Sequence, residues 1–242
     1  MSSASRKSRA LDYCFLGAGI PEDFGTDNDG PFRKSIVGAS TVEKSHYGIE
    51  LGVTAGTAVE MAEINQNNIL ALNVDEIIAV EFDARIDIDA GTDTSGLEFM
   101  FGLIGARDDD ADAIEPAIMV RIVDDSVYLE SNDGAGRDVD AIDSEFDLNP
   151  GYWQRYSIDL ATGVQTHGAP MQSAGGKARP LFHVSGNGIS KRALNSVHTN
   201  QSFDISAYTG GLQLFARAAK HDAASTNAAT LSIRNICAEI RW

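Results

Sequence analysis

Residues 97–163 read LEFMFGLIGARDDDADAIEPAIMVRIVDDSVYLESNDGAGRDVDAIDSEFDLNPGYWQRYSIDLATG, and this stretch decides the fold. Its apolar runs are short, their side chains alternate in character, and Asp, Asn and Gly interrupt them about every eight to twelve residues. Such a rhythm is typical of an all-β sandwich, whose strands end in tight turns. The stretch contains no recognisable catalytic constellation, so it indicates architecture and leaves function to be sought elsewhere.

The clearest single strand lies just upstream, at Glu76–Asp89, where apolar residues take the even positions and charged residues most of the odd ones. A period of two places one face in a core and the other in solvent. Leu97–Gly105 is apolar on both faces apart from Glu98, so we expect a central strand between two layers. The apolar parity of the last strand switches at Arg234-Asn235, which predicts a β-bulge there.

These patterns define two antiparallel sheets packed face to face. The predicted strands are Glu76–Asp89, Leu97–Gly105, Ala117–Val123, Trp153–Leu160, Leu212–Ala218 and Thr230–Trp242. The residues expected to be buried are Phe82, Ile86, Phe99, Phe101, Ile158, Leu214 and Ile240.

Other segments give weaker patterns. Leu11–Leu16 is consistent with a first strand, and Val59–Ile64 fits either a strand or a short helical segment. Ala117–Val123 and Val127–Glu130 are predicted to form a hairpin around residues 124–126, where Asp, Asp and Ser favour a turn. Loops are predicted at Asp133–Asp143 and Thr162–Arg179.

A chain of 242 residues is within range for one large all-β domain. We predict that residues 1–10 form a small basic arm and that residues 11–242 form a single sandwich domain. The chain has 19 Lys and Arg against 35 Asp and Glu, a net charge of −16, which argues against a nucleic-acid partner.

Membrane and secretory segments are not indicated. No run approaches the roughly 18 apolar residues of a membrane span, and no apolar region of signal-peptide length follows the polar start. We therefore expect no membrane partner and a protein made in the cytoplasm.

Cys14 and Cys237 lie near opposite ends of the chain. A disulfide is geometrically feasible in a sandwich, but two reduced thiols are the favoured interpretation.

Acidic residues form the most prominent chemical patterns. They crowd residues 108–112 and 133–143, where carboxylates can bind calcium. Neither segment has the spacing of a calcium-binding loop, so we interpret both as solvated turns.

The five histidines do not have zinc-ligand spacing. They are His46, His167, His183, His198 and His221.

Glu81 and Asp83 are the best candidates for paired catalytic carboxylates, because they share one face of a strand. The pattern resembles the E-x-D of jelly-roll glucanases, yet the second glutamate that those enzymes carry on this strand is missing. No nucleophile elbow, phosphate-binding loop or cofactor-binding pattern is present. We therefore predict no catalytic residues, no cofactor and no hydrolytic activity.

From Val80 onward the chain resembles concanavalin-like jelly-roll proteins of tailed bacteriophages. The resemblance covers about two thirds of the chain. It is carried by FGLIGARDDDADAI, VRIVDDSVYLESNDGAGRDVDAI, the W-x-R-Y-x-I-D-L of Trp153–Leu160, FDISAYTGGLQLFARAAK and LSIRNICAEIRW. It implies an antiparallel jelly-roll sandwich and a virion structural role, either as a capsid decoration or cement protein or as a fibre-associated lectin-like module. It carries over no binding residues.

On this resemblance we expect a non-enzymatic protein on the outer capsid surface, with the major capsid protein as its partner. A homo-oligomer is expected, with a trimer favoured over a dimer. Arg6, Lys7 and Arg9 are the candidate interaction residues, because a basic arm on an acidic body suits anchoring to an acidic shell. The alternative is a carbohydrate-binding, lectin-like module that recognises a glycan.

Overall fold

A computed structural model describes residues 8–14, 32–66, 72–135, 138–160, 180–194 and 203–241. Within these ranges sixteen strands form two antiparallel sheets of eight strands each. The strands are β1 Ser8–Cys14, β2 Arg33–Val37, β3 Thr41–Ser45, β4 Gly48–Val53, β5 Met61–Asn65, β6 Leu72–Asn73, β7 Ile77–Ile88, β8 Leu97–Ile104, β9 Ala117–Val123, β10 Ser126–Asn132, β11 Asp138–Asp147, β12 Gln154–Asp159, β13 Leu181–Gly186, β14 Ile189–Ala193, β15 Gly211–Lys220 and β16 Ala229–Arg241.

The two sheets differ in which part of the chain they contain. Sheet A has the order β14-β13-β12-β7-β16-β4-β3, with β1 also paired to β16. Sheet B has the order β11-β10-β9-β8-β15-β5-β2, with β6 also paired to β15. The first and last described strands therefore lie side by side in sheet A, while the stretch around β8 and β9 forms the middle of sheet B. The predicted sandwich of two antiparallel sheets is confirmed.

The bounds of the six predicted strands from Glu76 onward hold to within two residues. The β9–β10 hairpin turns at Asp124, whose φ of 57° lies in the left-handed region that Asp tolerates in tight turns. The predicted bulge is confirmed, because the pairing of β16 with β7 shifts register between Ile233 and Asn235. Met61–Asn65 forms a strand, which decides between the two alternatives for that segment.

Three expectations were wrong. The first strand begins at Ser8 rather than Leu11 and pairs with β16 from that residue onward. Asp138–Asp147 is strand β11 rather than a loop, because its backbone pairs with β10 despite its many acidic side chains. Ile240 is only partly buried, since it lies near the end of β16. Strand β14 had no sequence prediction, and the predicted loop at residues 162–179 lies outside the described ranges.

The main core lies between the sheets and contains the inward side chains of both. Phe82 of sheet A and Phe101 of sheet B have ring centroids 5.6 Å apart, and Tyr156 lies 4.9 Å from Phe101. Rings at such distances pack favourably beyond the area they bury. The other residues predicted to be buried are confirmed at 3% exposure or less: Phe82, Ile86, Phe99, Phe101, Ile158 and Leu214.

Candidate functional site

A loop of residues 105–116, here called the strap, lies on the outer face of sheet B. Its two ends meet where the Gly105 amide donates to the Pro116 carbonyl at 2.7 Å. A Cβ on Gly105 would come within 2.4 Å of the Pro116 ring, so only glycine allows this approach. From the strap, Ile114 joins a second apolar cluster with residues of the outer sheet face, which are Met100, Ile104, Ala117, Met119 and Phe215.

The strap explains why β8 is apolar on both faces. All eight of its residues are buried. The inward side faces sheet A, and part of the outward side packs under the strap. The predicted position between two layers is therefore correct, and the second layer is a loop of the same segment.

Beside this apolar cluster, the strand register brings charged residues together. Glu63 of β5 lies directly opposite Arg217 of β15. Arg217 donates to the Glu63 carboxylate at 2.9 Å from Nε and 2.6 Å from Nη2. Both side chains are buried, at 0% exposure for Glu63 and 2% for Arg217. Two charges so far from water are tolerated because each is paired and hydrogen-bonded.

The same arginine holds the strap in place. The Arg217 guanidinium also donates to the backbone carbonyls of Asp108 and Asp109. Arg107 of the strap reaches back to Glu63 at 2.8 Å, and it also pairs with the exposed Asp109. The Glu63 carboxylate thus joins two arginines, one on the sheet and one on the strap.

A second cluster centres on Arg121 of β9. Arg121 pairs with Glu98 of β8, with Glu130 of β10 at 3.0 Å and with Asp112 of the strap at 2.8 Å. Burial opposes the guanidinium charge, but the charges of Glu98 and Glu130 outweigh it, so the pKa of Arg121 is raised above its ordinary value. The strap is tied to sheet B by charged contacts at both Arg217 and Arg121.

A pocket of about 440 Å³ opens between the strap and the edge of sheet B. Carboxylates and cations line part of it, and apolar atoms make up the rest of its surface. The lining residues are Val37, Val59, Glu60, Met61, Glu98, Asp109, Asp110, Ala111, Asp112, Arg121, Arg217, Ala219, Lys220 and His221. His221 lies 3.1 Å from the Asp124 carboxylate, at the loop end of the pocket.

The acidic residues of the strap accept hydrogen bonds or form ion pairs within the protein. Asp108 accepts from the Asp110 amide at 2.9 Å, and Asp110 accepts from the Asp112 amide at 3.1 Å. Asp109 and Asp112 pair with arginines. Across the part of the chain that the structure describes, no group of three His, Cys, Asp or Glu residues has the geometry to hold a metal ion.

The outer face of sheet A carries the predicted carboxylate pair. Glu81 and Asp83 both point outward from β7, and Asp83 is the centre of a network. It accepts from Arg155 at 2.7 Å, from Asn235 at 2.7 Å and from Arg234 at 3.4 Å. Burial alone would raise the pKa of Asp83, but these hydrogen bonds and the arginine charges outweigh it, and the pKa lies below its usual value.

A row of stacked cations and rings lies beside this network. Arg234 lies over the Trp153 ring at 4.2 Å, Arg85 over the same ring at 5.2 Å, and Arg85 over Tyr47 at 5.0 Å. We call these four residues the aromatic ladder. Tyr47 is exposed at the end of the row. Cation–π contacts of this kind orient the guanidinium groups across the sheet.

Of the predicted interaction residues, Arg6 and Lys7 lie outside the described residues. Arg9 lies in β1 with its backbone opposite Ile240. The same pairing sets the backbone of Cys14 opposite Asn235 and that of Cys237 opposite Asp12. No described helix is long and apolar enough to cross a membrane.

The charged residues beneath the strap were not predicted as a site. Glu98 was recognised only as the exception in an apolar run, and Arg217 was not singled out within its predicted strand. A charged residue inside a segment apolar on both faces must be paired if it is buried, and this signal could have identified Glu98. Its partners lie on other strands, so the sequence could not name them.

No protein-family model and no curated protein sequence match this chain. Solved structures do match over nearly the whole length. The Emp47p carbohydrate recognition domain has a TM-score of 0.55 at 10% identity, covering 100% of this chain and 99% of its own. Peanut lectin has a TM-score of 0.54 at 10% identity, covering 97% of each chain. Lectin II from Ulex europaeus has a TM-score of 0.52 at 11% identity, covering 96% and 98%. The chain therefore has the lectin-like, concanavalin-type jelly-roll fold.

Proposed function

We propose that this protein is a carbohydrate-binding, lectin-like module and that the sugar binds in the pocket between the strap and sheet B. The observation that carries the proposal is the pocket itself, with a volume of about 440 Å³. This volume is within the range of small-ligand sites. The fold supports the same function, since the solved structures that resemble this chain include carbohydrate recognition domains and a lectin complexed with galactose.

The lining suits a sugar ring in two ways. Val37, Val59 and Met61 form an apolar area that can pack against the C–H face of a pyranose. The polar atoms of Glu98 and Arg121 are held by ion pairs, so they keep their positions when a sugar hydroxyl group binds beside them.

The charged residues favour binding over catalysis. The carboxylates of Glu63, Glu98 and Glu130 each form an ion pair with an arginine. On sheet A, the lowered pKa of Asp83 keeps its carboxyl group ionised and unsuited to donate a proton. We therefore propose a non-enzymatic protein.

The test is glycan binding with a blocked pocket. Ala219 lines the pocket from β15, and Ala219→Phe would place a ring where the sugar is proposed to bind. The matched control is Ala224→Phe, which adds the same ring at an exposed loop position outside the lining. We expect binding on a glycan array and by calorimetry to be lost only in Ala219→Phe. A protein that binds no glycan, or an Ala219→Phe variant that binds as well as the parent, would refute the proposal.

The virion role remains a separate prediction. It proposes a trimer bound to the major capsid protein on the capsid surface and anchored by the basic arm. The test is copurification with intact particles in near-stoichiometric amount, and absence from purified virions would refute it. Because β1 pairs with β16 from Ser8, an arm deletion that spares the sheet should remove only residues 2–7.

A further inference from the structure

The charges of the pocket indicate which class of sugar it takes, and this inference rests on the proposed function. The cations of the lining are already committed to the protein. Arg121 pairs with three carboxylates, and Arg217 with Glu63 and two strap carbonyls. The ammonium group of Lys220 donates to the carbonyls of Gly56 and, at 3.1 Å, of Ser225. These groups have little capacity left for an anionic ligand.

Two carboxylates of the lining differ from the others. Glu60 is only 2% exposed, and its carboxylate accepts from the Thr54 amide at 2.5 Å and from the Thr54 hydroxyl at 2.6 Å. Asp110 is exposed on the strap and accepts from the Asp112 amide. Among the described residues, neither Glu60 nor Asp110 forms an ion pair, in contrast to Glu98, Asp109 and Asp112 of the same lining.

The balance of charge in the pocket is negative. Five carboxylates and three permanent cations line it, a formal charge of −2 with His221 neutral. A buried carboxylate such as that of Glu60 is stabilised when a bound cation forms an ion pair with it. A carboxylated or sulfated sugar would instead meet further negative charge and no uncommitted cation.

We infer that the pocket recognises a sugar bearing a protonated primary amine, with the ammonium group received by Glu60 and Asp110. Glu60 supplies a carboxylate held rigidly by Thr54 at the buried end. Asp110 supplies a carboxylate from the strap at the exposed side. The apolar area of Val37, Val59 and Met61 is left for the sugar ring. An ammonium group also occurs on lysine side chains, and the experiment separates the two sources.

The experiment measures binding by calorimetry at about pH 6, where carboxyl groups with ordinary pKa values are ionised. The probes are a glucosamine tetrasaccharide, its N-acetylated counterpart, a galacturonic acid tetrasaccharide and a short lysine-containing peptide. We expect the glucosamine oligomer to bind at least about tenfold tighter than the acetylated one, the effect of one hydrogen bond to a charged group. The galacturonic acid oligomer and the peptide should not bind measurably.

Three variants test whether Glu60 and Asp110 cause the preference for the glucosamine oligomer over the acetylated one. Glu60→Gln and Asp110→Asn should each reduce the affinity for the glucosamine oligomer toward that for the acetylated one. Asp89→Asn makes the same change of charge at an exposed residue outside the pocket and should leave the preference intact. Melting temperatures identify any variant that loses binding because it unfolds. If Glu60→Gln is unfolded, Asp110→Asn still tests the inference, because Asp110 is exposed.

The outcomes distinguish a failure of the amine-sugar inference from a failure of the lectin proposal. Equal affinity for the amine and acetylated oligomers, or a preference unchanged in Glu60→Gln and Asp110→Asn, would overturn the inference and leave the lectin proposal standing. Binding of the lysine peptide but of no oligosaccharide would overturn both, since the ammonium group would then come from a protein. Binding of none of the probes would overturn the amine-sugar inference, and the glycan array would then decide the lectin proposal.

Discussion

The outer faces of the two sheets use similar ion pairs in opposite surroundings. On sheet B, Glu63 and Arg217 have side-chain exposures of 0% and 2%. On sheet A, Glu81 and Arg155 have exposures of 42% and 48%. The strap causes the difference by covering the centre of sheet B. Exposed pairs contribute little to stability because water solvates and screens each charge, whereas a buried charge depends on its partner.

The difference also separates the two faces by function. Charges held under the strap are fixed in position and adjoin a pocket, so they can define a binding site. Those on sheet A join Asp83 and the aromatic ladder into a network on the outer face of that sheet.

The largest expected effect is the loss of a buried partner on sheet B. Arg217→Met should destabilise the protein by about 3–5 kcal/mol, because it leaves Glu63 buried with less compensation and releases two strap carbonyls. Arg155→Met on sheet A should cost about 1 kcal/mol or less, since Arg234 and Asn235 still serve Asp83. Denaturant unfolding measures both, and equal losses would show that the strap does not make the difference.

The strap should also depend on its apolar anchor. Ile114→Ala should cost about 2–4 kcal/mol, because Ile114 is buried in the cluster under the strap. Hydrogen exchange should show faster exchange for amides of residues 105–116 and little change in β7. Uniform change across both sheets would contradict a locally attached strap.

On sheet A, Asp83→Asn should cost about 1–3 kcal/mol at neutral pH through loss of hydrogen bonds to a charged group. The pKa of Asp83 is lower in the folded state, so its stabilisation is present above the unfolded pKa of about 3.9 and is lost as pH falls through the folded pKa. The gap between parent and variant should therefore close in acid. Unfolding at several pH values measures it, and a gap that is constant with pH would refute the assignment.

The smallest effect should come from the exposed end of the aromatic ladder. Tyr47→Ala should cost about 0.5–1 kcal/mol, the contribution of an exposed cation–π contact. Thermal unfolding measures the loss, with Tyr152→Ala as the control, because Tyr152 is also an exposed tyrosine but takes no part in the ladder. Equal effects would indicate that only the loss of an exposed ring was measured.

The sequence by itself determined the fold class and most of the strands. Phe82 and Asp83 face opposite ways because side chains alternate along any strand, and the bulge near Arg234 followed from a break in that alternation. These features depend on neighbours in the chain, so they can be predicted locally. The strand at Asp138–Asp147 was missed because its pairing with β10 overrides an acidic composition that favours a loop.

The tertiary structure alone decided the candidate site. Glu63 and Arg217 are 154 residues apart, and Asp83 and Asn235 are 152 residues apart, so only strand order and register bring them together. The strap decided which charges are buried. The sequence shows that residues 108–112 are acidic, but their partners, and the uncommitted charge of Glu60 and Asp110, depend on what lies opposite them across the sheet. Periodicity is a property of the chain, whereas the pairing and desolvation of charges are properties of the packed molecule.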